Sequence, residues 1–152
     1  MTRLETSLLA ADKLPGDSVA ALYFTDRRPL HGPAALLDWR LDGQLTRMML
    51  DGQLRGRMGE HVLLPNNGKL KAERVLFVGG GSWYGLSESS YISLLKQTLE
   101  VVKQAGFRYI SLSLEPHDQL DSHGIQAHLQ TLMRQCGDSL KVCRLSCEPL
   151  DR

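Results

Sequence analysis

The sequence predicts an α/β sandwich built on a mixed, largely parallel sheet. Three observations carry this. Strand-like and helix-like segments alternate along the whole chain, in the order ββααββαβαβ. The clearest apolar strand, Arg74-Val-Leu-Phe-Val-Gly, passes through a glycine cluster into the best amphipathic helix of the chain. At 152 residues, without internal repeat or low-complexity stretch, the chain fits one domain with a proper core.

Each element has a local reason. Residues 3–11 read as a first strand, followed by the turn chemistry of Lys13-Leu-Pro-Gly-Asp. Ser18-Val-Ala-Ala-Leu-Tyr-Phe-Thr is continuously apolar and β-prone, the pattern of a strand buried on both faces. Asp26 to Pro33 is a loop, and Pro33 suits the start of a helix over 33–41 with Leu36, Leu37 and Trp39 as apolar candidates. Gly43 separates this helix from a second, in which Leu45, Met48 and Met49 recur at helical spacing. Gly52, after Asp51, is fit for the left-handed cap. Segment 53–60 reads as a loop or short edge piece, and His61-Val-Leu-Leu-Pro as a brief strand ending in the turn Asn66-Asn-Gly-Lys.

The best helix starts near Ser87, a fair cap, with Glu88 at its positive end. Ile92, Leu95, Leu99 and Val102 form its apolar face, and it ends at Gly106. Arg108 to Leu114 alternates as a strand. A fourth helix spans about 121–136 through Ile125, Leu129, Leu132 and Met133, and Leu140 to Cys147 is the last strand.

Composition narrows the function classes. Eighteen basic against 17 acidic residues leave a net charge of +1, which gives no electrostatic case for nucleic acid or an anionic membrane. Only a local patch around Arg47, Arg55 and Arg57 speaks for duplex DNA. No apolar run reaches the roughly 20 residues of a membrane span. Three cysteines, an odd number, fit a reducing compartment. Cys143 and Cys147 on one strand stand too far apart for a disulfide, and burial as small apolar groups is expected. A cytoplasmic protein is the expectation.

The motif with a mechanism is the strand–Gly79-Gly80-Gly81-Ser82-x-x-Gly85–helix layout. Glycines let the backbone approach an anion and turn amides toward it, so Gly79, Gly80, Gly81, Ser82 and Gly85 are the candidate ligand-binding residues. The third glycine of a dinucleotide fingerprint is misplaced by one position, and no Walker lysine follows. A tight packing turn is the plainer role. Trp83 and Tyr84 beside it either stack on a ligand ring or, as expected, pack on their own domain. His117-Asp118 and Asp121-His123 are close in sequence but match no zinc spacing. No Gly-x-Ser-x-Gly elbow occurs. Asp26 and Asp38, near Arg27, Arg28 and Arg40, read as surface ion pairs. No catalytic residue, metal ligand or cofactor is expected.

Three runs carry a resemblance: Ser18 to Asp26, Leu45-Thr-Arg-Met-Met-Leu-Asp-Gly-Gln-Leu-Arg-Gly-Arg-Met-Gly-Glu, and Arg74 to Gly81. They resemble the N-terminal domain of the leucyl aminopeptidase (cytosol aminopeptidase) family. The resemblance implies a three-layer, macro-domain-like fold over 1–152, with helices on both faces of the sheet. In that family the metals, held by lysine, aspartates and glutamate, sit in a C-terminal domain whose signature does not occur here. The triple glycine departs from the Gly-x-Gly common in the family. The resemblance therefore implies a non-catalytic domain for interaction, assembly or regulation, with protein partners or self-association. It can be a natural stand-alone protein or an excised domain, with the lean toward the former. The alternative is a macro-domain-type module binding ADP-ribose or another phosphate-containing ligand at the glycine loop. An active peptidase is the third and least supported reading.

Overall fold

The computed structural model describes residues 2–147. The tail 148–152, which the sequence places beyond the last strand, lies outside the described residues. Six strands form one sheet: β1 (Arg3–Ser7), β2 (Ser18–Tyr23), β3 (His61–Pro65), β4 (Arg74–Gly79), β5 (Tyr109–Leu114) and β6 (Val142–Cys147). Their order is β1-β6-β5-β2-β4-β3, and among these described strands β3 alone runs antiparallel. The helices are α1 (Gly32–Arg40), α2 (Gln44–Leu50), α3 (Glu88–Gln104) and α4 (Ser122–Gln135).

The layers follow from the strand alternation. Ala20, Leu22, Leu76, Val78, Ile110 and Leu112 point to one face and pack under α3 and α4. Val19, Ala21, Tyr23, Val75 and Phe77 point to the other, under α1 and α2. β2 is buried along its whole length because helices cover both of its faces and strands flank both of its edges. The fold is therefore the three-layer α/β arrangement that the sequence predicts. Cys143 lies in the core, and Cys136 and Cys147 pack against it.

The first strand is shorter than predicted. β1 ends at Ser7, opposite Ser146 of β6, its neighbour among the described strands. The chain then leaves the sheet, and Ala11–Lys13 forms a 3-10 turn that buries Ala11 and Asp12. The face of α3 is also turned: Tyr91, Leu94 and Thr98 are buried beside Leu95, Leu99 and Val102, while Ile92 is only partly covered. The Ser87 cap holds, its hydroxyl accepting from the Ser90 amide at 3.1 Å. Gly43 and Gly52 take the left-handed conformation at the ends of α2.

Candidate functional site

The parallel strands β2, β4 and β5 end on one edge of the sheet. After β2 the chain moves to one side of the sheet through α1, and after β5 to the other through α4. The gap between the ends of β2 and β5 is thus the topological switch point, where open α/β sheets bind their ligands. Three loops meet there: 24–31 after β2, the glycine loop after β4, and 115–121 after β5.

In this protein the gap is filled by the chain itself. Arg27 reaches across it and donates from Nη1 and Nη2 to the two carboxylate oxygens of Glu115, at 2.9 and 3.2 Å. The two side chains are only 11% and 19% exposed. The guanidinium lies 4.4 Å above the Trp83 ring. Trp83 in turn meets Phe24 and His117 edge-on, at 5.1 and 4.6 Å between ring centres. His117 Nδ1 accepts from the Gln119 amide at 3.0 Å, which leaves the proton on Nε2 for the Trp83 carbonyl at 2.8 Å. Tyr91 donates to the Glu115 carbonyl oxygen at 2.6 Å. The space left among Leu22, Phe24, Trp83, Tyr91, Ser113 and Glu115 is too narrow for a water molecule.

The glycine loop is similarly self-satisfied. The amides of Gly79, Gly80 and Gly81 donate to the carbonyls of Glu60, Tyr23 and Gly56, at 2.8, 2.8 and 2.7 Å. The amides of Trp83 and Tyr84 donate to the Asp26 carboxylate at 2.8 and 3.3 Å, and the Ser82 hydroxyl donates to it at 2.5 Å. Gly85 donates to Ser82 Oγ at 3.0 Å. Ser82, Trp83 and Tyr84 thus present their donors to an anion, and that anion is Asp26. Trp83 packs on its own domain as expected, whereas Tyr84 is 77% exposed.

The surface-pair reading of the aspartates does not hold. Asp26 is bound by the glycine loop rather than by an arginine. Asp38 is buried, and accepts from the Leu45 amide at 2.7 Å and the Thr46 hydroxyl at 2.6 Å, so it caps the start of α2 from within α1. Arg27 takes Glu115, and Arg40 takes Asp12. Long-range pairing explains the misreading, because residues close in sequence point to different loops. Glu115 and Asp12 carried no local signal that marked them as partners.

Two loop carboxylates are held ionised. Partial desolvation opposes this at Asp26, but hydrogen bonds from Ser82, Trp83 and Tyr84 outweigh it and place the carboxyl below its usual range. At Glu60 desolvation is likewise outweighed, by the Arg55 and Gly56 amides and the Tyr23 hydroxyl. Burial, then the Glu60 charge, raises Tyr23 well above the ordinary phenol value. A carboxyl lowered by folding stabilises the fold fully above its unfolded value, about 4. That contribution is lost as pH falls through the lower folded value. Melting temperature should therefore fall more steeply below about pH 4 in the wild type than in Asp26→Asn, which has no such proton to take up. Parallel curves would remove Asp26 as an ionised anchor.

Among the described residues no group of three or more His, Cys, Asp or Glu is placed to hold a metal ion. Asp121 instead caps α4, accepting from the Gly124 amide at 2.8 Å. No described helix is long and apolar enough to cross a membrane.

The three layers and the strand order define a macro-domain-like α/β domain, here with its switch point filled by its own side chains. The family described as "Cytosol aminopeptidase family, N-terminal domain" matches residues 21–140, and the chain belongs to that family. It is 35% identical over 91 residues to a probable cytosol aminopeptidase of Glaesserella parasuis. That match covers 60% of this chain and 18% of the relative. A mutant of tomato leucine aminopeptidase aligns at a TM-score of 0.69 with 19% identity, over 96% of this chain and 32% of that one. The Trypanosoma brucei macrodomain, solved in complex with ADP-ribose, aligns at 0.70 with 16% identity, over 95% of this chain and 63% of that one. At such identities these structures establish the fold alone.

Proposed function

We propose that this domain acts without catalysis, as an assembly, interaction or regulatory module of the cytosol aminopeptidase type, in the cytoplasm. The observation that supports it most is the switch point, where Arg27, Glu115, Trp83 and His117 occupy the place of a ligand. Large apolar side chains meanwhile stand on the outside: Trp39, Leu50 and Tyr84 are 68%, 77% and 77% exposed. Such residues suit protein contacts. The partner is a second copy of this chain or an aminopeptidase subunit.

Sedimentation velocity from about 1 to 100 μM should show self-association that weakens in Trp39→Ser and Leu50→Ser. A chain that is monomeric throughout would remove the assembly reading. A leucine chromogenic substrate with manganese or zinc should give no turnover, and genuine turnover would remove the non-catalytic one.

The second reading is a small-molecule module of the macro-domain type, with ADP-ribose or a related phosphate ligand at Gly79, Gly80, Gly81, Ser82 and Gly85. The likeness to a macrodomain solved with ADP-ribose favours it. Against it, the loop donors are already bound to Asp26. ADP-ribose at about 1 mM should leave the melting temperature unchanged, and a saturable rise would reverse the order of the two readings.

A further inference from the structure

The crevice at the switch point has the parts of an anion site, and one of the chain's own carboxylates sits in it. α1 begins at Gly32, with no side chain capping its first turn and no acidic residue within that turn. Its positive end therefore has no counter-charge from its own sequence. Glu115 supplies one from across the sheet. A Cβ on Gly32 would lie 2.5 to 2.9 Å from the three carboxyl atoms of Glu115, so the carboxylate rests against the first residue of the helix. The bidentate Arg27 holds it from the other side.

A second observation is independent of the helix end. The Ser113 hydroxyl is 1% exposed and has no hydrogen-bond partner among the described residues. It lines the same narrow space as Glu115 and Trp83. A buried hydroxyl without a partner is costly, and a bound ion is one of the things that would satisfy it. Glu115 satisfies the guanidinium but leaves this hydroxyl unserved.

We propose that the space between the ends of β2 and β5 is an oxyanion site held shut by Glu115, which a phosphate- or carboxylate-bearing ligand enters by displacing that side chain. Arg27 is the group exchanged from Glu115 to the ligand, the start of α1 is the second support, and Ser113 is the donor that becomes satisfied. The bare backbone of Gly32 leaves room for the anion. The site goes beyond the assembly reading and does not depend on it. It is also separate from the glycine loop, whose donors belong to Asp26.

Anion titrations of the purified chain test this, at pH 7 and matched ionic strength. Glu115→Ala should gain melting temperature saturably with inorganic phosphate or acetate over chloride. Arg27→Met/Glu115→Ala should gain nothing beyond the general salt effect. A larger gain with phosphate identifies the ligand's head group as a phosphate, and a larger gain with acetate as a carboxylate. Glu115→Gln keeps the shape of the plug and covers the case in which the alanine variant fails to fold. It should bind one of the two anions about tenfold or more tightly than the wild type, read from the Gly32 amide shift. No saturable gain in a folded Glu115→Ala would overturn the site. An equal gain in the double variant, or equal affinity of Glu115→Gln and wild type, would do the same.

Discussion

Replacing Arg27 with alanine should destabilise the folded chain by about 3–5 kcal/mol, the range found when one partner of a buried ion pair is removed. The size follows from burial rather than from the pair itself. Exposed pairs contribute about 0–1 kcal/mol, because water screens them and two long side chains must be ordered. Arg27 and Glu115 retain only 11% and 19% of their side-chain exposure. Without the guanidinium, Glu115 would stay against Gly32 with a charge that only the start of α1 and little water could compensate. Trp83 would also lose the cation over its ring, and the stem of Arg27 its packing. Removing both charges together, as Arg27→Met/Glu115→Gln, should cost much less than the two single changes added. Urea unfolding of the four proteins gives that coupling as a double-mutant cycle. A loss below about 1 kcal/mol in Arg27→Ala would mean that the pair behaves as a surface pair and that the crevice is open to water.

The same residues show where reading the sequence succeeds and where it stops. Elements governed by neighbours in the chain were legible. The apolar run of β2, the Ser87 cap, the break between helices at Gly43 and the left-handed Gly52 are local signals, and each appears at its predicted place. The end of β1 was not local. Its pairing partner is β6, about 140 residues away, and the last pair is Ser7 opposite Ser146. The site was harder still, because its bonds join loops from three strands. Asp26 reaches Ser82, and Arg27 reaches Glu115, across 56 and 88 positions. A pattern read along the chain sees Asp26 beside Arg27 and pairs them. The fold sends one to the glycine loop and the other across the switch point. The glycine cluster itself was found, but its spacing says nothing about which anion its donors face.

Alanine substitutions along that cluster should separate a turn shaped by packing from a loop kept open for a ligand. Gly79→Ala should cost the most, about 2–3 kcal/mol, as overpacking of a closed site does. Its new Cβ would fall on the Arg57 carbonyl oxygen and the Gly56 backbone. Those atoms belong to the segment anchored by Glu60, which accepts the Arg55 and Gly56 amides at 2.9 Å, so they cannot move without breaking these bonds. Gly80→Ala meets the Phe24 ring, which is wedged against Trp83, and should cost nearly as much. A Cβ on Gly81 would meet only Met58, at an ordinary 3.9 Å, but the φ there is +76°, so alanine should cost about 1 kcal/mol through backbone strain alone. Gly85 has an ordinary φ, with Ser82 Oγ at 3.1 Å as its nearest obstacle, and alanine should change stability by about 0.5 kcal/mol. Chemical denaturation of the four variants reads the order directly. A loop held open for phosphate gives a different result. There the cost at Gly79 and Gly80 would be small, because a Cβ facing an empty site meets nothing in the unliganded protein. Near-neutral Gly79→Ala and Gly80→Ala would therefore reject the packing role and restore the glycine loop as the first place to look for a ligand.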